Sequence, residues 1–335
     1  MKLGIIGVED SGRATIFGAL TQRGGEDGGR EAKVGMVRVP DERIDKLSAI
    51  FKPKKTIYAQ VEFTLPAEAA GKEAKDKVWA EIRGMDALIV VARNFGPGRN
   101  PLAEVKELVS EMVFADFVVA EKRLERLALD AKRGRPGEPK EIELLEVCKA
   151  LLEKDQPLRS RPDLAAAPEL RGFAFLSGKP LLVLFNNDED DPDPPAGAEA
   201  AGVDWLAVRG KLEAEIAAMS PEERDEFLKE YGITESAMDR VIRASYAMMG
   251  LISFFTVGED EVRAWTITRG TPAVEAAGEI HSDIQKGFIR AEVVSYADFM
   301  ACGNMAEAKK RAKLRLEGKT YEVLDGDIIN FRFNV

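Results

Sequence analysis

Five apolar runs set the rhythm of the first two thirds of the chain: "KLGIIGV" (2–8), "YAQVEFTL" (58–65), "DALIVVARNF" (86–95), "KPLLVLFNN" (179–187) and "DWLAV" (204–208). Each is short and rich in branched residues, and helical patterns such as "ATIFGALTQ" lie between them. Strands separated by helices predict a mostly parallel sheet. From residue 100 to 155 the period becomes helical. Leu102, Val105, Val109, Met112, Leu124 and Leu127 fall on one side of a first helix, and Ile142, Leu145, Cys148 and Leu152 on a second. The link "KRGRPGEPKE" carries Gly134, Pro136, Gly137 and Pro139, which stop one helix and start the next. A helical hairpin is therefore inserted into the sheet domain. Beyond residue 250 the pattern changes again, with strand-like "VRAWTITRG", "GFIRAEVVSY" and "TYEVLDGDIINFRFNV" and one helical stretch, "NMAEAKKRAKLRLEG" (304–318). Asp325-Gly326 marks a tight turn. The prediction is an α/β domain over 1–97 and 170–250, a helical insertion over 98–169 and a small α+β domain over 251–335.

With 335 residues, the chain is long enough for several cores. A net charge of −10 excludes nucleic-acid binding through bulk positive charge and leaves only local basic faces for it. Two cysteines, Cys148 and Cys302, exclude a disulfide framework, and neither has metal-ligand spacing around it. No signal-peptide pattern and no apolar stretch of about 18 residues is visible, so the expectation is a cytoplasmic protein without a membrane partner.

Between the first run and the first helix, Gly7-Val8-Glu9-Asp10-Ser11-Gly12-Arg13-Ala14 has the layout of a phosphate-binding loop. Its glycines, Gly7 and Gly12, are correctly spaced. Long stretches elsewhere, among them "PDERIDKLSAIFKPKK", "ERDEFLKEYGITESAMDRVIRASY", "EVRAWTI" and "AAGEIHSDIQKGFIRAEVVSYADF", resemble the YchF subfamily of Obg-like P-loop NTPases over nearly the whole chain. The resemblance implies a P-loop NTPase parallel sheet with a helical coiled-coil insertion, followed by a C-terminal β-grasp (TGS) domain. It also implies an ATP or GTP site, Mg²⁺, and association with ribosomes or structured RNA.

Residue by residue, the site departs from that pattern. Arg13 stands where a P-loop lysine reaches the phosphates, and its planar fork is not equivalent to a slim ammonium. Ala14 replaces the metal-binding hydroxyl, and Thr15 points about 100° further round the helix. Glu9 and Asp10 add negative charge beside the phosphate position. Aligning Glu62-Phe63 with the family's D-x-x-G strand puts Leu65 at the Asp position and Glu68 at the Gly position. The switch segment corresponds to "GGEDGGREAKVGMV", without a threonine, and the second switch to the plain helical "AAGKEAKDKVWAE". The family's proposed catalytic histidine matches Val90, and the lone histidine, His281, reads as structural. No catalytic or metal-ligating residue is assigned. Gly7, Gly12, Arg13, Ala14 and Thr15 form a degenerate phosphate site that points to weak ATP or GTP binding and argues against Mg²⁺.

At the base end, Asn186-Asn187-Asp188-Glu189 matches the family's N-x-x-E, with Asn186 and Glu189 as base-binding candidates that tolerate adenine. The expectation is a nucleotide-binding protein that does not hydrolyse. The alternative is a nucleotide-independent scaffold that binds RNA or protein through the arm and the C-terminal domain. RNA-binding candidates are Lys286, Arg290, Lys309, Lys310 and Arg311, with Lys313 and Arg315 in the same helical stretch. Lys122, Arg123, Arg126, Lys132, Arg133 and Arg135 form a second cluster near the hairpin tip. Two separated basic faces fit a ribosome or structured RNA. A monomer is expected.

Overall fold

The computed structural model describes residues 1–22, 32–67, 72–233 and 235–334. They fall into two compact units, Met1–Met36 with Glu62–Val241, and Val37–Val61 with Ile242–Val335. The strands are β1 (Lys2–Gly7), β2 (Lys33–Arg38), β3 (Lys55–Ile57), β4 (Gln60–Leu65), β5 (Ala87–Asn94), β6 (Leu181–Asn187), β7 (Asp204–Val208), β8 (Leu251–Val257), β9 (Glu261–Thr268), β10 (Phe288–Ser295), β11 (Arg315–Glu317) and β12 (Asp327–Phe333). The helices are α1 (Arg13–Thr21), α2 (Glu42–Phe51), α3 (Lys72–Arg83), α4 (Pro101–Lys132), α5 (Pro139–Leu152), α6 (Pro162–Ala165), α7 (Gly210–Ala218), α8 (Pro221–Glu230), α9 (Ala237–Met248), α10 (Ala273–Ile280), α11 (Ser282–Lys286), α12 (Tyr296–Cys302) and α13 (Met305–Lys310).

The first unit holds a sheet of order β2-β4-β1-β5-β6-β7, in which β4, β1, β5, β6 and β7 run parallel to one another. The central strands β5 and β6 are buried from Ala87 to Ala92 and from Leu181 to Asn187. That is what continuous apolar runs produce when both faces of a parallel sheet are covered. The C-terminal ends of β1, β5 and β6 bring Gly7, Asn94 and Asn187 to one edge, the edge where doubly wound sheets place ligands.

The predicted helical hairpin is α4 and α5. Asn100 caps α4 by accepting from the Ala103 N–H at 3.1 Å, with Pro101 in the first turn. Leu127, Leu145, Cys148 and Leu152 are buried between the two helices and the 158–175 segment. The Cys148 thiol is pushed up to about 11 by burial, with Asp116 and Asp163 adding to it, so it is an inert core thiol. Asp116 on α4 is fully buried. It accepts from Arg83 Nη1 at 2.8 Å, from the Leu176 N–H at 3.0 Å and from the Ser177 N–H at 2.7 Å, tying α3, α4 and the chain entering β6 together.

The second unit holds a mixed sheet of order β11-β10-β12-β8-β9-β3. Numbered from β8, its five C-terminal strands run 4-3-5-1-2, with β12 parallel to β8, the β8–β9 hairpin antiparallel, and α10 buried on one face. This is the β-grasp arrangement. Tyr246 locks the hairpin, its hydroxyl meeting Ile252 O at 3.1 Å, Ser253 Oγ at 2.9 Å and Thr266 Oγ1 at 3.0 Å.

Residues 37–61, assigned from the sequence to the first domain, cluster with this second unit. The physical reason is specific. β3 adds to the edge of β9 in parallel register, and Arg43 at the start of α2 grips two carboxylates at once. Its guanidinium donates to Asp41 at 2.8 and 2.9 Å and to Asp325 at 2.9 and 3.1 Å, and lies 5.2 Å from the Phe255 ring centre. Burial opposes its charge, but the two carboxylates win and raise its pKa. Arg43→Ala should cost roughly 1–3 kcal/mol, because the partly buried Asp41 and the exposed Asp325 lose their shared cation. A thermal melt that leaves the transition unchanged would refute this clamp.

One expectation fails here. The stretch 304–318 is not a single helix: α13 ends at Lys310, Ala312 adopts a left-handed φ of 55°, and the Lys313 N–H closes the turn on Ala308 O at 2.8 Å. The chain then pairs as β11 with β10, antiparallel. Sheet pairing outcompetes helix propensity, and Lys313 and Arg315 leave the helix face on which the sequence places them.

Candidate nucleotide site

The phosphate-type loop joins β1 to α1. Gly12 caps α1 with φ 84°, and a Cβ there would overlap Asn186 Nδ2, so only glycine fits. The helix has no side-chain cap and no acidic residue in its first turn, and Ile16 N–H is the first amide to turn back, to Gly12 O at 3.0 Å. The N–H groups of its first turn thus face the loop, as an anion site requires. Arg13, Ala14 and Thr15 are half-buried in that turn, whereas Glu9 and Asp10 are exposed at the loop tip, Asp10 with a left-handed φ of 59°. Ser11 is fully buried beneath the loop.

Asn186 joins three segments. Its Nδ2 donates to Ser11 O at 3.0 Å and its Oδ1 accepts from the Gly210 N–H at 2.9 Å, both buried. Gly210 opens α7, and a Cβ there would lie 2.6 Å from Asn186 Oδ1 and 2.8 Å from Ile16 Cδ1. One buried amide therefore fixes the phosphate loop against the ends of β6 and β7. Asn187 is also buried and accepts from Asn94 Nδ2 at 2.9 Å while donating to Asp191 O at 3.0 Å, which shapes the acidic turn after β6.

Glu189 is half-buried beyond that turn and forms an ion pair with Lys211 on the first turn of α7, while Arg209 Nη1 reaches Glu189 O at 3.4 Å. The hydrogen bond to Glu189 raises the Lys211 pKa. Arg209, Gly210 and Lys211 are absent from the sequence-based list. Their signal is a glycine between two cations directly after a strand and before a helix, the same junction chemistry that marks Gly12.

Ala14 has no ligating oxygen, Leu65 at the family's acidic position is buried at the end of β4, and no cluster of three or more His, Cys, Asp or Glu suited to a metal occurs among the described residues. Val90 is core packing in β5. Glu68 and residues 24–31 of the switch segment lie outside the described residues, as do 69–71, after which α3 begins at Lys72. His281 lies elsewhere, in the β-grasp domain, where its Nδ1 caps α11 by accepting from the Asp283 N–H at 3.2 Å.

The basic residues separate into paired and open groups. Lys286 pairs with Asp283 at 3.8 Å, Lys310 and Arg311 with Glu307 at 3.6 and 3.4 Å, and Lys313 with Asp298 at 2.9 Å. Arg290 on β10 faces Arg332 on β12 directly across the ladder, and both are exposed. Arg332 pairs with Glu292, whose pKa it lowers first, with Asn330 and Lys309 adding to the effect. Arg290, Arg332 and Lys309 thus form a basic group around one carboxylate, and like charges directly opposite are unfavourable for the sheet itself. On the arm, Arg123 is held bidentately by Glu141 at 2.8 and 3.1 Å, and Arg126 and Arg133 flank Asp130, while Lys122 further down α4 and Lys132 and Arg135 at the tip are exposed.

The YchF-GTPase_C family model, described as a protein of unknown function (DUF933), matches residues 251–334. The chain is 39% identical to the "Ribosome-binding ATPase YchF" of Bacillus subtilis (strain 168), covering 100% of both sequences. It is 36% identical to the protein of that name from Escherichia coli O157:H7, covering 100% of this chain and 99% of the relative. Among solved structures, the Schizosaccharomyces pombe YchF GTPase superposes with a TM-score of 0.84 at 26% identity, over 99% of this chain and 97% of that one. With a parallel sheet whose strand–loop–helix junctions meet on Asn186, a helical hairpin, a β-grasp unit and full-length relatives of this identity, the chain belongs to the YchF family.

Proposed function

We propose that this chain is a purine-nucleotide-binding protein that associates with ribosomes, and that it holds nucleotide without supporting Mg²⁺-dependent hydrolysis. The observation that carries the reading is the contrast between the backbone of the loop and the side chains at the metal-binding positions. The backbone of a phosphate cradle is kept, with Gly12 in its left-handed conformation and Asn186 stitched behind it, while the side chains that serve a metal are replaced by Ala14 and Leu65. Backbone amides at a helix start favour phosphate regardless of side chain. Positioning a metal and an attacking water needs specific groups, and Arg13 and Ala14 supply neither the slim P-loop ammonium nor a metal ligand.

Ribosome association is supported by the relatives, which are named ribosome-binding ATPases, and by the two basic faces on an acidic chain. The contact is assigned to phosphates through Arg290, Lys309 and Arg332 and through the arm tip. Lys310 and Arg311, engaged with Glu307, contribute less.

Pelleting with purified ribosomes over a salt series tests this. The bound fraction should fall steeply as salt rises, and Arg290→Glu with Lys309→Glu should lower it by roughly tenfold or more at fixed salt. A supernatant fraction that stays constant with ribosomes in excess counts against the association.

A further inference from the structure

The Glu189–Lys211 ion pair sits at the base end of the proposed site, and its placement is determined by what surrounds it. Gly210 cannot move away from Asn186, because its N–H is donated to Asn186 Oδ1 and its Cα lies too close for a side chain. The residues on either side of Gly210 both engage Glu189, Arg209 through the carbonyl oxygen and Lys211 through the carboxylate. Glu189 is therefore gripped at two points by the start of α7. Lys211 is itself 73% exposed, so the pair is not part of the core.

We infer that Lys211 is a positioning residue that sets base selectivity by occupying one oxygen of the Glu189 carboxylate. This rests on the nucleotide-binding reading above. A carboxylate that reads guanine accepts from N1–H and from the exocyclic amine together, which takes both of its oxygens. Here Oε1 is engaged by the Lys211 ammonium, so Oε2 is the oxygen presented without a cation on it, next to one donor. Adenine offers the complementary edge: an exocyclic N–H for Oε2 and a ring nitrogen for the ammonium. Guanine satisfies the same edge only with N1–H and O6, and leaves its second amine unpaired. A donor that finds the carboxylate in one complex and not in the other is what discriminates between such ligands. Without the ammonium, both oxygens of Glu189 are free and the preference turns towards guanine.

The experiment is competitive displacement of a fluorescent purine nucleotide by ADP and by GDP, in EDTA, with the full chain. Diphosphates keep the comparison at the base rather than at the γ-phosphate. The unsubstituted protein should bind ADP at least as tightly as GDP. Lys211→Ala should shift the ADP-to-GDP affinity ratio towards GDP by about tenfold or more, and Lys211→Arg should keep the original ratio. Because Lys211 is exposed, neither substitution removes core packing. If Lys211→Ala weakens ADP and GDP equally, or leaves the ratio unchanged, the selectivity role is overturned while nucleotide binding stands. If the unsubstituted protein displaces with neither nucleotide, the nucleotide-binding reading falls and this inference with it.

Discussion

Asp116→Ala should lower the stability of the first unit by about 3–5 kcal/mol, the usual cost of breaking a buried ion pair by removing one partner. The carboxylate is fully buried and accepts from Arg83 and from two main-chain N–H groups, Leu176 and Ser177. Two further cations are close by. Burial lowers Arg159 to about 10 and also lowers Lys179, and in both cases Asp116 works against that depression. Removing it leaves buried amides without acceptors and Arg83 and Arg159 without the carboxylate that faces them, while Lys179 keeps Asp86. The comparison that isolates the cause is Arg126→Ala on the same helix. Its 4.0 Å contact with Asp130 is largely exposed and should be worth under about 1 kcal/mol. Urea unfolding followed by circular dichroism reads both. If the two variants shift the midpoint equally, Asp116 is not the anchor of the arm.

Asn186→Ala should cost roughly 2–5 kcal/mol and weaken nucleotide binding together. Each buried group left unpaired costs about 1–3 kcal/mol, and this change strands the Gly210 N–H and Ser11 O at once. It also opens space beside Gly12 and Gly210, both of which exclude a Cβ because of Asn186. Gly210→Ala should therefore be less harmful in the Asn186→Ala background than alone, a coupling that a double-mutant cycle measures. Strict additivity would show that the amide does not join the loops. Loss of stability with full retention of nucleotide affinity would detach the loop from ligand binding.

Much of the fold is legible in the sequence because its signals are local. The unbroken apolar runs of β5 and β6 and the Gly134–Pro139 break between α4 and α5 are read directly from adjacent residues. The turn before β12 is equally local, closing with Asp327 N–H on Leu324 O at 3.1 Å. The parts that are not legible depend on distant partners. Arg43 finds Asp325 across 282 positions, and no periodicity in α2 announces that pairing or the docking of β3 on β9. β11 is hidden inside a helical-looking stretch, because Ala312 carries no mark of its left-handed backbone. At the site, the glycine spacing and the N-x-x-E pattern are visible from the sequence. The use of Asn186 as a staple, and of Lys211 as the partner of Glu189, requires β6 and β7 to lie side by side.

We propose a phosphate cradle that persists here without the groups of a Mg²⁺-dependent hydrolase. Calorimetric titration of ATP with and without Mg²⁺, followed by phosphate release from the same samples, tests it most directly. Binding heat should not depend on Mg²⁺, and turnover should not rise above background. Mg²⁺-dependent phosphate release that disappears in Arg13→Ala would contradict it.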